Sequence, residues 1–252
     1  MQLQRKQGFY EKYIKRILDI GCSVGTIIVF FWLYAVIAFL VRVKLGSPVL
    51  FKQPRPGMID PRTGKEKLFD MYKFRTMSDA RDANGEPLPD EERLSEFGKK
   101  LRATSLDEIP EIFNILKGDM SVIGPRPQLV RDMVFMTNQQ RMRHTAKPGL
   151  SGLAQVMGRN AIDWEEKFKW DLKYIEDISF TNDIKIILVT IKKVFIRTHI
   201  TESTEEIDVT LDYGDELLKT GKVSKSQYNR LQAYAKKILS NHEMRGENKS
   251  KT

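Results

Sequence analysis

Ile20–Val41 reads IGCSVGTIIVFFWLYAVIAFLV, and this stretch contains no charged residue. As an α-helix it runs about 33 Å, enough to cross a bilayer core of about 30 Å. It is too long and too aromatic for a secretory signal, and no small-residue cleavage site follows it. Both flanks are basic: Arg5, Lys6, Lys12, Lys15 and Arg16 precede the run, and Arg42, Lys44, Lys52 and Arg55 follow it. Positive residues prefer the cytoplasmic side, and one straight crossing cannot place both flanks there. A re-entrant helix, dipping into one leaflet and returning, satisfies both; a single-span anchor is the alternative. Cys22, the one cysteine, lies inside the run and reads as a small hydrophobe, which fits a reducing compartment.

The rest of the chain is too polar for a polytopic membrane protein and too apolar for a disordered one. Of its 252 residues, 41% are hydrophobic and 30% charged, with a net charge of +9. Residues 202–252 carry nine acids and nine bases, so the whole excess lies upstream. A basic chain suits nucleic acid, an anionic membrane face or phosphorylated substrates. No nucleic-acid motif is present and the basic residues follow the apolar segments, so no nucleic-acid partner is expected.

Beyond the anchor, GSPVLFKQPRPG and EKLFDMYKFRTM read as β-type runs bounded by turn-rich segments. Helical patterns are expected from near Ser105, around Gln128–His144, over Trp164–Asp177 and over Asp183–Arg197, with AKPGLSGLAQVMGRN as loop and short strand between the second and third. On the last helix Ile184, Ile187, Leu188, Ile191, Val194 and Phe195 form an apolar stripe beside Lys185, Lys192, Lys193 and Arg197. Such a stripe either faces a core or lies in a membrane interface. Trp164, Phe168, Leu172 and Ile175 make a similar stripe one helix earlier. A tail helix around Ser224–Leu239 is expected to be peripheral or to bind a partner.

Residues 102–130, RATSLDEIPEIFNILKGDMSVIGPRPQLV, carry the chemistry. Ser105 followed by Glu108 has the form of a capping box, with Ile109, Ile112, Phe113 and Leu116 as the buried face. On that reading Asp107 and Glu108 only complement the helix dipole. Three features favour a functional reading. Pro110 cannot donate to the Leu106 carbonyl, so the first turn is broken beside the carboxylates. Helix N-termini favour phosphate. Arg102 precedes the pair, and Arg126 follows in the rigid Gly124-Pro125-Arg126-Pro127 turn. Carboxylates beside arginines suit metal-assisted phosphoryl transfer.

Several uncommon motifs recur here in a fixed order: KRILDI before the apolar run, Gln53-x-Arg55-x-Gly57, Tyr72-Lys73-Phe74-Arg75-Thr76-Met77, Ser105-Leu106-Asp107-Glu108, Leu116-Lys117-Gly118-Asp119-Met120-Ser121, the Gly124–Pro127 turn, Arg143-His144, Pro148-Gly149-Leu150 and Gly158-Arg159-Asn160. From about Tyr13 to Thr198 the chain resembles the bacterial sugar transferase family, the monotopic polyprenyl-phosphate phosphoglycosyl transferases. The resemblance implies an α+β, mainly helical fold: a re-entrant membrane helix (1–48), a cytoplasmic catalytic domain with short strands and amphipathic interfacial helices (49–201), and a tail (202–252). It implies Mg²⁺, a UDP-sugar and polyprenyl phosphate as partners, and a place on the cytoplasmic face of the bacterial inner membrane. Asp107 matches the nucleophilic aspartate and metal ligand, and Glu108 its dyad partner. Lys73, Arg75, Arg102 and Arg126 match basic, phosphate-holding positions. Ala161–Phe168, AIDWEEKF, resembles members using N-acetylated deoxyamino sugars; a simple hexose, or a catalytically dead scaffold, are the alternatives. Two departures stand out. The mid-helix Ser-Pro break usual in the family is Phe31-Trp32 here, and a tryptophan common in its Gly-x-Ala-Gln motif is Leu153.

Overall fold

The computed structural model describes residues 5–158, 162–197 and 211–250. Arg159, Asn160, Ala161 and residues 198–210 lie outside the described residues, as do the side chains of Val194, Phe195 and Arg197. The chain is mainly helical with a few short strands, and it divides into two compact units.

The first apolar helix, α1 (Lys15–Leu45), follows a π-helical turn at Tyr10–Ile14 and is an unbroken α-helix. No proline interrupts its hydrogen-bond ladder, so nothing local forces a kink. It is long and apolar enough to cross a membrane. Ile28, Phe31, Trp32, Phe39 and Val43 are exposed along it. The re-entrant form expected from the flanking charges is therefore not marked by any helix break. α1 stops at Gly46, which takes the left-handed conformation (φ 81°) open to glycine and donates its N–H to the Arg42 carbonyl at 3.2 Å.

One unit comprises Leu18–Gln53 and Asp70–Gly118. Its core joins Ile37 and Val41 of α1 to Phe74 and Leu101, with Leu33, Tyr34, Ala38, Leu45, Leu106 and Ile109 packed around them. These α1 residues recur at helical spacing, so one stripe of the anchor is a core face while the others stay apolar and exposed. β1 (Leu50–Asp60) and β2 (Lys65–Phe74) form a two-stranded sheet. After β2 come α2 (Asp90–Arg93), α3 (Glu96–Ala103), a 3₁₀ turn at Leu106–Glu108 and α4 (Glu111–Lys117).

The other unit comprises Met1–Ile17, Pro54–Phe69 and Asp119–Thr252. β3 (Ser121–Ile123) and β4 (Gly149–Ser151) pair in parallel, Ser121 against Gly149 and Ile123 against Ser151. Between them lie α5 (Val130–Met133), α6 (Asn138–Arg141) and a 3₁₀ turn at Met142–Thr145. The single helix expected over Gln128–His144 is thus broken. Thr137 and Gln140 form a capping box that restarts the chain, which lets Val130 and Met133 enter one core while Phe135 and Met136 enter another. Next come α7 (Leu153–Met157), where loop was expected, and α8 (Trp164–Glu176), placed as expected; α9 is Phe180–Arg197. The α8 stripe is core-facing: Trp164, Phe168 and Ile175 are buried. On α9, Ile184, Leu188 and Ile191 of the stripe are exposed, Ile187 packs against the core, and Ile186 and Asp183 are buried.

The tail is not peripheral. α10 (Tyr213–Lys219) buries Tyr213 and Leu217 among Phe135, Met136, Trp164 and Phe168, and α11 (Lys225–Ser250) buries Ala235 against Val130 and Met133. The Trp164 indole Nε1 donates to the Leu211 carbonyl at 2.9 Å, and Arg131 pairs with Asp212 and, at 3.0 Å, with Asp215.

Candidate active site

The carboxylate pair is set by how α3 ends. Ser95 Oγ accepts from the Gly98 N–H at 3.0 Å and starts the helix. Gly98 presses so closely on the Thr76 backbone that a Cβ there would lie 1.9 Å from its carbonyl oxygen. One turn later Arg102 Nε donates to Thr76 Oγ1 at 3.0 Å. The expected capping box does not form: Ser105 is left-handed at φ 56° and its side chain caps nothing. The Leu106 carbonyl accepts from the Ile109 N–H at 3.4 Å, the i+3 pattern, because Pro110 offers no N–H one residue on. What was read as one helix is therefore a 3₁₀ turn bearing Asp107 and Glu108, then α4. The buried face of α4 is Glu111, Ile112, Asn114 and Ile115 rather than the stripe through Phe113 and Leu116.

Asn114 locks α4 to β2. Its Oδ1 accepts from the Tyr72 N–H at 3.0 Å and its Nδ2 donates to the Asp70 carbonyl at 2.7 Å, so a buried amide takes the place of a neighbouring strand. Lys73, next along β2, thereby meets the carboxylates. Its Nζ donates to Glu108 Oε1 at 2.7 Å and lies 3.4 Å from Glu111 Oε1. Asp107 is 8% exposed. Burial raises its pKa above the ordinary carboxylate value; Lys73 opposes that shift, the Glu108 charge adds to it, and Arg102 opposes it. A carboxylate made more basic by burial, yet subject to the charges of Lys73 and Arg102, has the properties of an anionic nucleophile that needs no separate base.

The sequence-expected residues divide. Lys73, Arg102, Asp107 and Glu108 come together in one unit. Arg75, in the same unit, is committed to the end of α1: its guanidinium donates to the Leu45 carbonyl and, at 3.1 Å, to that of Ser47. Arg126 belongs to the other unit, in a turn braced from several sides. The Gly124 N–H donates to the Ser151 carbonyl at 2.9 Å and the Gly149 N–H to the Pro125 carbonyl at 3.0 Å. Arg143 Nη2 donates to the Arg126 carbonyl at 2.6 Å and Arg55 Nη1 to the Pro127 carbonyl at 3.3 Å. Arg143, 1% exposed, is paired with buried Asp171 through its Nε at 2.8 Å and Nη2 at 2.5 Å.

Three charged groups escaped sequence reasoning. Glu111 lies in the first turn of α4, where its side chain is buried beside Lys73. Glu66 lies in a strand that reads as an exposed alternation, yet it accepts two bonds from Arg141 at 2.7 Å and one from His144 Nδ1 at 3.0 Å. Burial alone would raise Glu66, but the His144 and Arg141 hydrogen bonds outweigh it and hold the group at about 2. Burial lowers the pKa of His144, and its hydrogen bond with Glu66 opposes that shift. The Arg143–Asp171 pair could have been suspected only from the Arg143-His144 motif.

Among the described residues no group of three or more His, Cys, Asp or Glu side chains is arranged to hold a metal. A protein-only metal cage is thus not built here. The adjacent Asp107 and Glu108 carboxylates fit a different donor set, that of Mg²⁺, which takes one or two carboxylates and fills its shell with water and substrate phosphate.

Comparison with known proteins places the chain in a family. Residues 10–197 match the bacterial sugar transferase family. An uncharacterized sugar transferase, EpsL of Bacillus subtilis, is 46% identical over 73% of this chain and 88% of its own length. A Klebsiella pneumoniae UDP-glucose:undecaprenyl-phosphate glucose-1-phosphate transferase is 38% identical over 72% of this chain. An Aeromonas hydrophila UDP-N-acetylgalactosamine-undecaprenyl-phosphate N-acetylgalactosaminephosphotransferase is 34% identical, again over 72%. The matches cover 40% and 44% of those two longer proteins.

Proposed function

The chain belongs to the bacterial sugar transferase family, and on that premise we propose that it transfers a sugar-1-phosphate from a UDP-sugar to undecaprenyl phosphate, releasing UMP. The observation that carries this reading is Asp107: a buried carboxylate on a 3₁₀ turn beside Glu108, with Lys73 and Arg102 acting on its charge. In the first step an Asp107 oxygen attacks the β-phosphorus, the bond from that phosphorus to the bridging oxygen breaks, and UMP leaves. In the second, an oxygen of undecaprenyl phosphate attacks the same phosphorus, releasing Asp107 and giving the diphosphate-linked sugar. Lys73, Arg102 and, by its place in the family motif, Arg126 hold the phosphates. Mg²⁺, with Asp107 as its ligand from the chain, neutralises phosphate charge when bound. Glu108 orients the metal or the acceptor.

The exposed apolar faces of α1 and α9 support a site at the bacterial inner membrane, and the basic residues on both sides of Ile20–Val41 favour its cytoplasmic face. For the sugar, Ala161–Phe168 and the Aeromonas relative favour an N-acetylated amino sugar, while the Klebsiella relative favours a hexose. Incubating the purified protein with undecaprenyl phosphate, Mg²⁺ and a panel of UDP-sugars while detecting UMP tests both points. UMP release with amino-sugar donors in preference to hexoses is expected. Failure of every UDP-sugar to release UMP would contradict the function, and equal or better use of UDP-glucose would overturn the sugar assignment.

A further inference from the structure

The Lys73 ammonium sits between two carboxylates of different character. Glu108 has an 18% exposed side chain and bonds Lys73 at 2.7 Å. Glu111 has a 2% exposed side chain, projects from the first turn of α4, and lies 3.4 Å from the same ammonium. This asymmetry has a chemical consequence. If Glu108 orients the metal or the acceptor, and Lys73 receives a phosphate, their mutual salt bridge must loosen during the reaction. Glu108 can turn toward solvent when it does. Glu111 cannot, since its side chain is buried in the first turn of α4. The contact with Glu111 is an ion pair at 3.4 Å, so it can persist while the hydrogen bond to Glu108 is exchanged.

We propose that Glu111 is a positioning residue: it tethers the Lys73 ammonium in the site while Glu108 is released to act. The proposal rests on the transferase reading of Lys73 and Asp107 given above. Three features join in it. Asn114 fixes the β2 backbone at Asp70 and Tyr72, just before Lys73, against α4. Glu111 fixes the Lys73 head group from the same helix. The 3₁₀ turn keeps Glu108 apart from α4, so the two carboxylates are not bound to move together.

The test is Glu111→Gln, which keeps shape and removes charge, in the wild-type and Lys73→Met backgrounds of the full-length protein. UMP release gives kcat and KM for the UDP-sugar, with thermal melting as a parallel readout. In the wild-type background kcat/KM should fall about tenfold, mainly through KM, as Lys73 collapses onto Glu108. In the Lys73→Met background Glu111→Gln should cost nothing further, because the group it acts through is gone. A purely structural role predicts the same fold loss in both backgrounds, and that result would overturn the proposal, as would an unaffected Glu111→Gln enzyme. If Lys73→Met were itself fully active the tether would be refuted, while Asp107-dependent UMP release would still uphold the transferase reading. Should the Gln variant not fold, Glu111→Asp replaces it: the charge is retained but withdrawn by one methylene, and the loss should again appear only when Lys73 is present.

Discussion

Asp171→Asn should destabilise the protein far more than a surface substitution of the same chemistry. Arg143 is 1% exposed, and Asp171 is its buried counter-charge, reached by both Nε and Nη2. Neutralising Asp171 leaves the guanidinium buried without charge compensation, a loss of about 3–5 kcal/mol. For a chain of this size that lowers the melting temperature by roughly 10 °C. The double variant Arg143→Met/Asp171→Leu removes both charges and replaces them with apolar volume, so most of that stability should return. Activity should fall in the double variant instead. Arg143 also donates to the Arg126 carbonyl, and methionine cannot. Thermal melts and UMP release measured on the wild type, the single and the double variant separate the two effects. The expected pattern is a low melting temperature only in the single variant and a kcat/KM depressed about tenfold or more only in the double variant. A double variant with wild-type turnover would show that the brace does not position Arg126. An Asp171→Asn protein that melts with the wild type would refute the burial reasoning itself.

Ending the chain at residue 210 removes Tyr213 and Leu217 from the aromatic core of Phe135, Trp164 and Phe168. At about 1.5–3 kcal/mol for each buried side chain, the loss is on the order of 3–6 kcal/mol, visible in a urea titration. Turnover per folded molecule should survive, since none of the proposed catalytic groups lies in the tail. The tail also carries a pH signature. Burial, then the Asp212 charge, raise Asp132 to about 6, with Arg131 and the Gly214 and Tyr213 amides opposing. A raised acid binds its proton more tightly in the folded state, so its contribution is full below the unfolded pKa and is lost as pH rises through about 6. The melting temperature of Asp132→Asn relative to wild type should therefore climb between pH 4 and pH 7. The span is at most about 3 kcal/mol, and a flat difference would contradict it.

Much of this was legible in the sequence because it depended on local rules. The period of α8 and the uncharged run of α1 gave those helices directly, and Pro110 gave the break beside Asp107. The misreadings came where tertiary packing overrode a local motif. Ser105-x-x-Glu108 has the letters of a capping box, but Ser105 is left-handed and caps nothing, and the Glu108 carboxylate accepts from Lys73 instead. The working capping box, Thr137-x-x-Gln140, has the same form and was passed over inside a longer apolar pattern. Arg75 and Lys73 are two residues apart and look alike in sequence, but β2 ends at Phe74, so Lys73 stays beside the carboxylates while Arg75 turns to the end of α1. Glu66 and Asp171 were invisible because their partners lie 78 and 28 residues away.

The central claim is that Asp107 carries the sugar phosphate. Asp107→Asn keeps the shape of the turn and removes the attacking anion. Wild-type protein mixed with UDP-sugar and Mg²⁺, without lipid acceptor, should release UMP and gain the mass of one sugar phosphate by intact-protein mass spectrometry. The Asn variant should melt near the wild type, show no added mass and release no UMP. UMP released only once undecaprenyl phosphate is present, or normal turnover by the Asn variant, would show that transfer is direct and leave Asp107 as a metal ligand.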